Sequence, residues 1–487
     1  MKSLSRLVKL IKTLKSKDIN IIKNISILVI ILLTFSIPVR AQNKTEKIDE
    51  FMTYCYKNGL FNGTILIAKN GNVIYKQPFG FLRINSNENI KKTSPFYLAS
   101  ISKQFTSMAI MMLKERNKLK YEDKLIKYLP EMQGYSNEVT IRHLLTHTSG
   151  MPGYPVSPRI TNRDVLNFLI KQDSLQFKPG DQYSYSNSGF ILLALIVEKV
   201  TGQRFYKFME ENIFKPLKMN ESLVFNEDTG SIPGKAFGFN KYEEMDDYNL
   251  FTAGAGGIYS TVEDLYKWDQ ALYTEKLVKA STLNEAFSYI SLNDGTISND
   301  IFGWEIHENK DGKIVEYSGG WRGFSTYIGR NLNKRSTVIL LTNSGIQGKI
   351  LDLKNILWKI LENKPFNLPK ISIAKKLFEE LKINNISSVV EIYYKLKHNN
   401  PDQYDFEEFQ LNDLGYFLMS KNQIKEAIEI FKLNIESFPS SANAYDSLGE
   451  AYMVNGNKEN AIKNYEKSLE LNPNNVNAKE MLKKLKK

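Results

Sequence analysis

Residues 97–110 read YLASISKQFTSMAI and place Ser100 three positions before Lys103 in a stretch with helical periodicity. Side chains three positions apart on a helix share one face, so the lysine amine can take the proton of the serine hydroxyl. The Ser-x-x-Lys spacing alone is weakly specific, because it recurs at Ser372 and Lys375. Ser372 begins a helical tail and no Tyr-x-Asn element follows it, which favours a helix-capping serine there. Ser100 is therefore the candidate nucleophile.

A Tyr-x-Asn element is the second candidate part of such a site. It occurs at residues 56–58, 135–137 and 185–187, and the last two follow Ser100. The spacing alone leaves Tyr135 and Tyr185 as alternatives.

Four stretches then follow one another along the chain: YLASISKQFTSMAI (97–110), IRHLLTHTSGMP (141–152), FKPGDQYSYSNSGFILLALIVEKVTG (177–202) and AGAGGIYSTVEDLYKW (253–268). As an ordered set they resemble the serine β-lactamase and penicillin-binding-protein superfamily. More narrowly, they resemble its class C β-lactamase-related branch of hydrolases, esterases and D-aminoacyl peptidases, over roughly residues 46–360. In that family the tyrosine motif follows a Pro-Gly segment and opens a helix, which selects Tyr185 and Asn187 over Tyr135.

The resemblance implies a role for each of these side chains. Ser100 would attack an acyl carbonyl and carry a covalent acyl-enzyme, once a base has removed its proton. Lys103 can be that base only if burial or a second cation keeps it partly neutral, because free lysine has a pKa of about 10.4. Tyr185 is the other candidate, and we favour it for deacylation. Asn187 would orient Lys103 and hydrogen-bond the substrate amide.

A third element is expected on a strand lining the site, where the family normally has Lys- or His-x-Gly. The best match is Tyr317-Ser318-Gly319, within EYSGGWRGFSTYIG (316–329). Tyr317 departs from the family pattern, since a cation at this position normally steadies the serine-base network and the substrate carboxylate. The alternative match, at residues 310–312, has Asp-Gly between predicted strands and is better interpreted as a hairpin turn.

Two features compensate for the departure at Tyr317. Arg322, five residues further on, can replace the missing charge. Backbone donors do not depend on side chains, so an oxyanion hole from the N–H groups of Ser100 and Gly320 is still expected. The predicted substrate-binding residues are therefore Asn187, Tyr317, Ser318, Gly319, Gly320 and Arg322.

Two histidines four positions apart, His143 and His147, offer a rival metal site. HLLTH lacks the glutamate of the metalloprotease motif, and the resembling family carries this segment as scaffold. We therefore predict neither a metal nor a cofactor.

Hydrophobic patterning predicts an α+β fold, with an antiparallel sheet flanked by helices and built from both ends of the hydrolase-like region. Asn70-Gly71 between apolar runs indicates a hairpin. The predicted helices cover residues 100–115, 190–200 and 261–272, and later strands cover residues 313–317, 324–329 and 337–342.

The tail repeats itself at an interval of 34 residues. The matched pairs are Leu414/Leu448, Gly415/Gly449, Ala427/Ala461, Phe431/Tyr465 and Pro439/Pro473. This spacing resembles the tetratricopeptide repeat, a helix-turn-helix unit. Residues 361–370 are predicted as a linker and 371–487 as an all-α repeat region, with a degenerate helix pair at 371–398 and a capping helix at 474–486. Repeats 408–487 are expected to bind a protein partner, to dimerise the protein or to pack on its neighbour.

The formal net charge of +12 is concentrated near the start of the chain, where residues 1–41 hold eight basic side chains and one acidic side chain. The rest is only mildly basic, which argues against nucleic-acid binding. An apolar run at residues 25–39, followed by Ala41, predicts an export signal at 1–41 or, if uncleaved, a membrane anchor. The single cysteine, Cys55, excludes internal disulfides.

The leading hypothesis is an exported serine hydrolase, periplasmic or extracellular, that acts without a metal. Its substrate would be a D-amino acid peptide, an ester or a β-lactam. The competing hypothesis is a binding protein in which a degenerate hydrolase fold and the repeat tail recruit a partner. Ser100→Ala separates the two, because turnover is lost only if the protein is catalytic.

Overall fold

The computed structural model describes residues 44–84, 86–247, 250–345 and 349–486. The predicted export signal or anchor at 1–41 lies outside these residues. Among the helices of the described residues, none is long and apolar enough to cross a membrane.

Long strands lie at both ends of the hydrolase-like region with most of its helices between them, as the sequence patterning predicted. The strands are β1 (Gly63–Lys69), β2 (Asn72–Phe79), β3 (Phe96–Tyr97), β4 (Leu223–Val224), β5 (Ile258–Ser260), β6 (Ile290–Ser291), β7 (Ile297–Ser298), β8 (Asp300–Ile301), β9 (Trp304–Asn309), β10 (Gly312–Trp321), β11 (Phe324–Asn331), β12 (Ser336–Thr342), β13 (Ile371–Ser372) and β14 (Tyr404–Asp405).

The helices up to the tail are α1 (44–57), α2 (Ser102–Glu115), α3 (Ile141–Leu145), α4 (Asn162–Ile170), α5 (Asn187–Thr201), α6 (Phe205–Met209), α7 (Lys215–Leu217), α8 (Val262–Ala271), α9 (Ala280–Ala286) and α10 (Lys349–Leu361). Those of the tail are α11 (Ile373–Leu381), α12 (Ile386–Asn399), α13 (Glu408–Ser420), α14 (Ile424–Ser437), α15 (Ala442–Val454), α16 (Lys458–Leu471) and α17 (Val476–Leu485). Short 3-10 helices cover Ala99–Ile101, Leu125–Lys127 and Tyr135–Asn137, and a π-helical turn covers Glu210–Phe214.

The main sheet has seven strands in the order β2-β1-β12-β11-β10-β9-β8, and every neighbouring pair is antiparallel. Asn70-Gly71 forms the turn between β1 and β2, as predicted. The sheet thus joins the start of the hydrolase-like region to its end, which confirms the α+β fold.

Successive side chains of a strand point to opposite faces of the sheet, so those of the central strands pack into two different hydrophobic cores. Leu66 and Ala68 of β1 pack in the large helical layer that contains α2 and α5. Ile65 and Ile67 pack on the opposite face, against α1 and α10. The sheet is therefore covered on both faces, and its strand β10 is held rigidly beside α2.

The tail is a stack of paired helices whose contacts explain the 34-residue spacing. A Cβ atom added to Gly415 of α13 would lie 2.5 Å from the Phe431 ring of α14. One added to Gly449 of α15 would lie 3.1 Å from the Tyr465 ring of α16. Glycine at these two positions therefore permits close helix pairing in both repeats. The degenerate pair (α11 and α12) and the final helix (α17) are present where they were expected.

Candidate active site

Ser100 lies in the short 3-10 turn that precedes α2. The α-helix begins at Ser102, two residues later than predicted, because the chain enters this turn through Ala99 in the left-handed region (φ +49°). Non-glycine residues hold such a conformation only where the surrounding structure imposes it, and this happens often at active sites. Twelve of the fourteen residues of α2 are buried, so the helix fixes the serine firmly.

Lys103 is fully buried, and its ammonium group meets three oxygen atoms. Nζ donates to Oδ1 of Asn187 at 2.8 Å, to the Ala255 carbonyl at 3.0 Å and to Oγ of Ser100 at 3.2 Å. Three acceptors match the three N–H donors of a charged lysine. The arrangement therefore places a positive charge beside the serine oxygen.

Tyr185 approaches Ser100 from the other side. Its hydroxyl donates to Oγ of Ser100 at 2.7 Å, and Nζ of Lys103 lies 4.7 Å from the centre of its ring. The side chain is 43% exposed, so it is accessible from solvent. The structure thus brings Ser100, Lys103, Tyr185 and Asn187 into one hydrogen-bonded group.

The start of α5 fixes the tyrosine motif. Ser186 caps this helix by accepting the N–H of Gly189, and Asn187 is the first helical residue. The backbone N–H of Ser186 donates to Nδ1 of His147 at 2.9 Å, and the imidazole packs 4.6 Å from the Tyr185 ring. His147 thereby supports the loop that carries Tyr185.

The two histidines of HLLTH occupy separate scaffold positions. Burial and the nearby Lys103 charge hold the pKa of His147 well below its ordinary value. Burial, with smaller contributions from Lys124 and Arg142, lowers the pKa of His143 to about 4. Nδ1 of His143 accepts the backbone N–H of Thr140 at the start of α3, which makes it part of a helix cap.

The alternative motif residues also have structural partners. Tyr135 donates its hydroxyl to the Leu169 carbonyl at 2.6 Å. Ser372 caps α11 by accepting the backbone N–H of Lys375 at 3.2 Å, as predicted.

Strand β10 runs directly against the turn that holds Ser100. A Cβ atom on Gly319 would lie 2.3 Å from the Leu98 carbonyl oxygen and 3.0 Å from the backbone nitrogen of Ser100. Glycine is therefore required for this close approach. Gly319 is buried, whereas its neighbours Ser318 and Gly320 are exposed.

Tyr317, at the position of the family's cation, faces the site. It is 6% exposed, and Tyr185 and Asp300 are near enough to affect its pKa, while no side chain of the described residues forms a hydrogen bond with its hydroxyl. Burial raises the pKa of Tyr317 well above its ordinary value, and Tyr185, Asp300 and Tyr183 raise it further. Tyr317 therefore presents a neutral phenol where a cation was expected.

Two further residues of this group, Tyr183 and Asp300, were missed in the sequence. Tyr183 donates its hydroxyl to Oδ2 of Asp300 at 2.6 Å, and burial raises the pKa of Asp300. Tyr183 could have been noticed, because it stands two positions before Tyr185. Asp300 belongs to no recognisable motif, and the fold brings it to the site from β8.

Arg322 lies in the turn between β10 and β11, in the left-handed region (φ +49°). Its guanidinium NH1 lies 3.6 Å from Oδ1 of Asp246, and its side chain is 44% exposed. Arg322 therefore follows Gly320 by two residues, in the turn that ends β10, and its guanidinium approaches Asp246.

In the part of the chain that the structure describes, one group of side chains has metal-ligand chemistry: Glu305, His307 and Glu316. Glu316 already forms an ion pair with Lys354 and accepts the hydroxyl of Tyr327 at 2.6 Å. The Glu316 carboxylate is therefore already paired with the Lys354 cation and the Tyr327 hydroxyl.

Comparison with known proteins identifies the family of the chain. The beta-lactamase family model matches residues 45–357, and a tetratricopeptide repeat model matches residues 442–475. Penicillin-binding protein 4* of Bacillus subtilis (strain 168) is 34% identical over 366 residues, which cover 69% of this chain and 80% of that protein.

Among solved structures, the octameric penicillin-binding protein homologue from Pyrococcus abyssi is 26% identical with a TM-score of 0.59, covering 68% of this chain and 81% of that one. A penicillin-binding protein from Bacillus halodurans is 27% identical with a TM-score of 0.56, covering 63% of this chain and 98% of that one. The chain therefore belongs to the beta-lactamase family, within a superfamily of serine hydrolases, and its tail carries a tetratricopeptide repeat.

Proposed function

We propose that this protein is an exported serine hydrolase that forms a covalent acyl-enzyme on Ser100. One observation carries the proposal: the Tyr185 hydroxyl at 2.7 Å and the Lys103 amine at 3.2 Å converge on the same serine oxygen. Once the phenol has lost its proton, a poor nucleophile is activated in this way: the phenolate accepts the serine proton on one side, and the lysine supplies a positive charge on the other. Export is inferred from the basic and apolar pattern of residues 1–41.

Proton transfer is assigned to Tyr185. All three hydrogen-bond partners of Lys103 are acceptors here, so the lysine serves as a fixed charge that stabilises negative charge on the phenolic oxygen. In acylation, the phenolate takes the serine proton as Oγ bonds to the substrate carbonyl carbon. The same proton then passes to the leaving group as the tetrahedral intermediate collapses.

Deacylation follows by the reverse pattern. Tyr185 takes a proton from water, the hydroxide attacks the acyl carbon, and the proton returns to Oγ of Ser100 as the acid departs. Asn187 holds Lys103 in place and is positioned to bond the substrate amide.

The oxyanion is assigned to the backbone N–H groups of Ser100 and Gly320. The close approach of Gly319 to the backbone nitrogen of Ser100 supports this assignment, because it brings β10 within reach of the serine turn. Removing one such donor typically slows an enzyme by about 10²–10³. The phenol of Tyr317 leaves these backbone donors unchanged.

The substrate class follows from Tyr317. A neutral phenol and the Asp300 carboxyl stand where the family usually has a cation, so a substrate carboxylate gains little at that position. Small esters and D-amino acid peptides or amides are therefore proposed ahead of β-lactams.

The hydrolase region is assigned to residues 46–360 and the repeat region to 371–487, with a protein partner proposed for repeats 408–487.

The experiment is intact-protein mass spectrometry after exposure to a fluorophosphonate and, separately, to a penicillin. We expect one adduct with the fluorophosphonate, lost in Ser100→Ala. Ser372→Ala is the matched control, because it removes the serine of the other Ser-x-x-Lys segment and should retain the adduct. A folded protein without any adduct would instead favour the binding-protein hypothesis.

A further inference from the structure

The helical tail touches the hydrolase fold at several points, among them the Lys349–Asp405 ion pair at 3.5 Å and a short hairpin, residues 238–246, called here the docking hairpin. Its two arms are joined by bonds from the Asp246 N–H to the Gly238 carbonyl at 2.9 Å and from the Asn240 N–H to the Glu244 carbonyl at 2.8 Å. These bonds hold the two arms together, so the tip between Asn240 and Glu244 has a fixed conformation.

The tip of the docking hairpin is inserted into the core of the tail. Tyr242 is 5% exposed, and its ring stacks on Phe417 of α13 with centroids 4.0 Å apart. The ring also meets the edge of Phe378 of α11 at 5.2 Å, and the hydroxyl donates to Asp413. A residue of the hydrolase region thus completes the apolar core of the first helices of the tail.

Three ion pairs surround this aromatic contact. They are Lys241–Asp413 at 2.5 Å, Glu243–Lys382 at 2.8 Å and Glu244–Lys421 at 2.5 Å. Each pair is partly exposed and is worth little individually. Together they fix the orientation in which the hairpin enters the tail.

The base of the docking hairpin holds the turn that ends β10. The Gly323 N–H donates to the Asp246 carbonyl at 2.9 Å, and Oδ1 of Asp246 pairs with Arg322 at 3.6 Å. A Cβ atom on Gly323 would lie 2.1 Å from the backbone nitrogen of Phe239, so the two segments are in direct backbone contact.

This turn also ends the strand that lines the serine site. Gly320 pairs with Ser325 and Trp321 with Phe324, so one tight hairpin connects the proposed oxyanion donor to Arg322. A displacement of the turn therefore moves the Arg322 guanidinium first and the Gly320 N–H next.

We propose that Tyr242 is a positioning residue: by docking in the tail, it holds the Arg322 turn at the end of the strand that lines the serine site. The tail is then a structural part of the substrate site as well as a possible partner-binding module. The kinetic consequence rests on the proposed hydrolase function, whereas the structural consequence does not.

The structural consequence is tested first by hydrogen exchange on the full chain. In Tyr242→Ala, peptides that contain the Gly323 amide should exchange about 5 to 30 times faster than in wild type, because the contact that restrains local opening is lost. Tyr394→Ala is the control, since it removes a tail tyrosine that bonds Glu436 at 2.6 Å, away from the docking hairpin. Equal exchange in the two variants would overturn the proposal, whether or not the protein is an enzyme.

A charge exchange provides a second variant in case Tyr242→Ala fails to fold. Glu244→Lys and Lys421→Glu should each speed exchange at Gly323, and the double variant should restore it, because the pair is re-formed with opposite polarity. Failure of the double variant to restore protection, with each single variant folded, would contradict a role for the docking hairpin.

The kinetic consequence is tested with a carboxylate-bearing ester and its neutral methyl ester. Tyr242→Ala should raise KM for the anionic ester while kcat for the neutral ester stays within about twofold. Arg322→Gln should also raise KM for the anionic ester, and adding Tyr242→Ala to it should raise that KM no further, because both substitutions act through the Arg322 guanidinium. If the effects of the two substitutions on KM for the anionic ester multiply in the double variant, the proposal is overturned. Absence of turnover in wild type would instead refute the hydrolase function and leave the exchange result standing.

Discussion

Replacing Lys103 by methionine tests how the serine is activated. The substitution keeps the length of the side chain but removes the charge that donates to Ser100, Asn187 and the Ala255 carbonyl. All three partners are neutral, so the lysine contributes a buried charge that no hydrogen-bonded carboxylate offsets. We therefore infer that the buried Lys103 ammonium serves the reaction rather than the stability of the fold, and we expect its removal to change the free energy of unfolding little.

The expected loss of rate follows from the separation of two charges. The Tyr185 oxygen, which carries the negative charge, lies 2.7 Å from Oγ of Ser100, and Nζ of Lys103 lies 3.2 Å from the same atom. At an effective dielectric constant of about 20, opposite unit charges about 4 to 6 Å apart attract by about 3 to 4 kcal/mol. Each 1.36 kcal/mol is tenfold in rate. Screening at the exposed edge of the ring reduces the effect, so acylation should slow by about 10²-fold or more.

The assay is the time course of fluorophosphonate labelling at pH 7, followed by intact mass. Lys375→Met is the matched control, because Lys375 occupies the same place in the second Ser-x-x-Lys segment. Labelling of Lys103→Met within threefold of wild type would refute the assignment of Lys103 as the charge that activates the site.

Three other predictions follow from the geometry. Tyr185→Phe removes the proton acceptor and should slow ester turnover by about 10²–10⁴, as measured in steady-state assays against wild type. His143 has a pKa of about 4 in the folded protein against 6.5 ordinarily, so the unfolded state binds a proton first as pH falls. The free energy of unfolding should therefore decline between pH 6.5 and 4, less steeply in His143→Gln, as judged by urea titrations. Gly319→Ala forces a Cβ atom to within 2.3 Å of the Leu98 carbonyl and should abolish labelling and lower the melting temperature, whereas Gly153→Ala, in open space, should do neither.

Local patterns in the sequence predicted the elements of this fold well. Asn70-Gly71 identified the first hairpin, and the 34-residue spacing identified the paired helices of the tail, because both signals depend on contacts between neighbouring segments. The spacing of residues left Tyr135 and Tyr185 open, and the resemblance to the family selected Tyr185, whose hydroxyl donates to Ser100 in the structure.

Contacts between distant segments could not be predicted in this way. Asp300 reaches the site because β8 lies at the edge of the sheet beyond β9, a placement that no local pattern encodes. The insertion of Tyr242 into the tail joins residues more than 130 positions apart. Residues 361–370 were expected to be a linker, yet the Pro369 carbonyl accepts the Tyr54 hydroxyl at 3.2 Å, so this segment lies against α1.

The most direct test of the account is to trap the acyl group during turnover. Wild-type protein would be mixed with an excess of an activated ester, whose good leaving group makes acylation faster than deacylation, then quenched in acid, digested and mapped by mass spectrometry. The account predicts one acyl group, on the peptide that contains Ser100. An acyl group on another residue, or turnover that persists in Ser100→Ala, would contradict it.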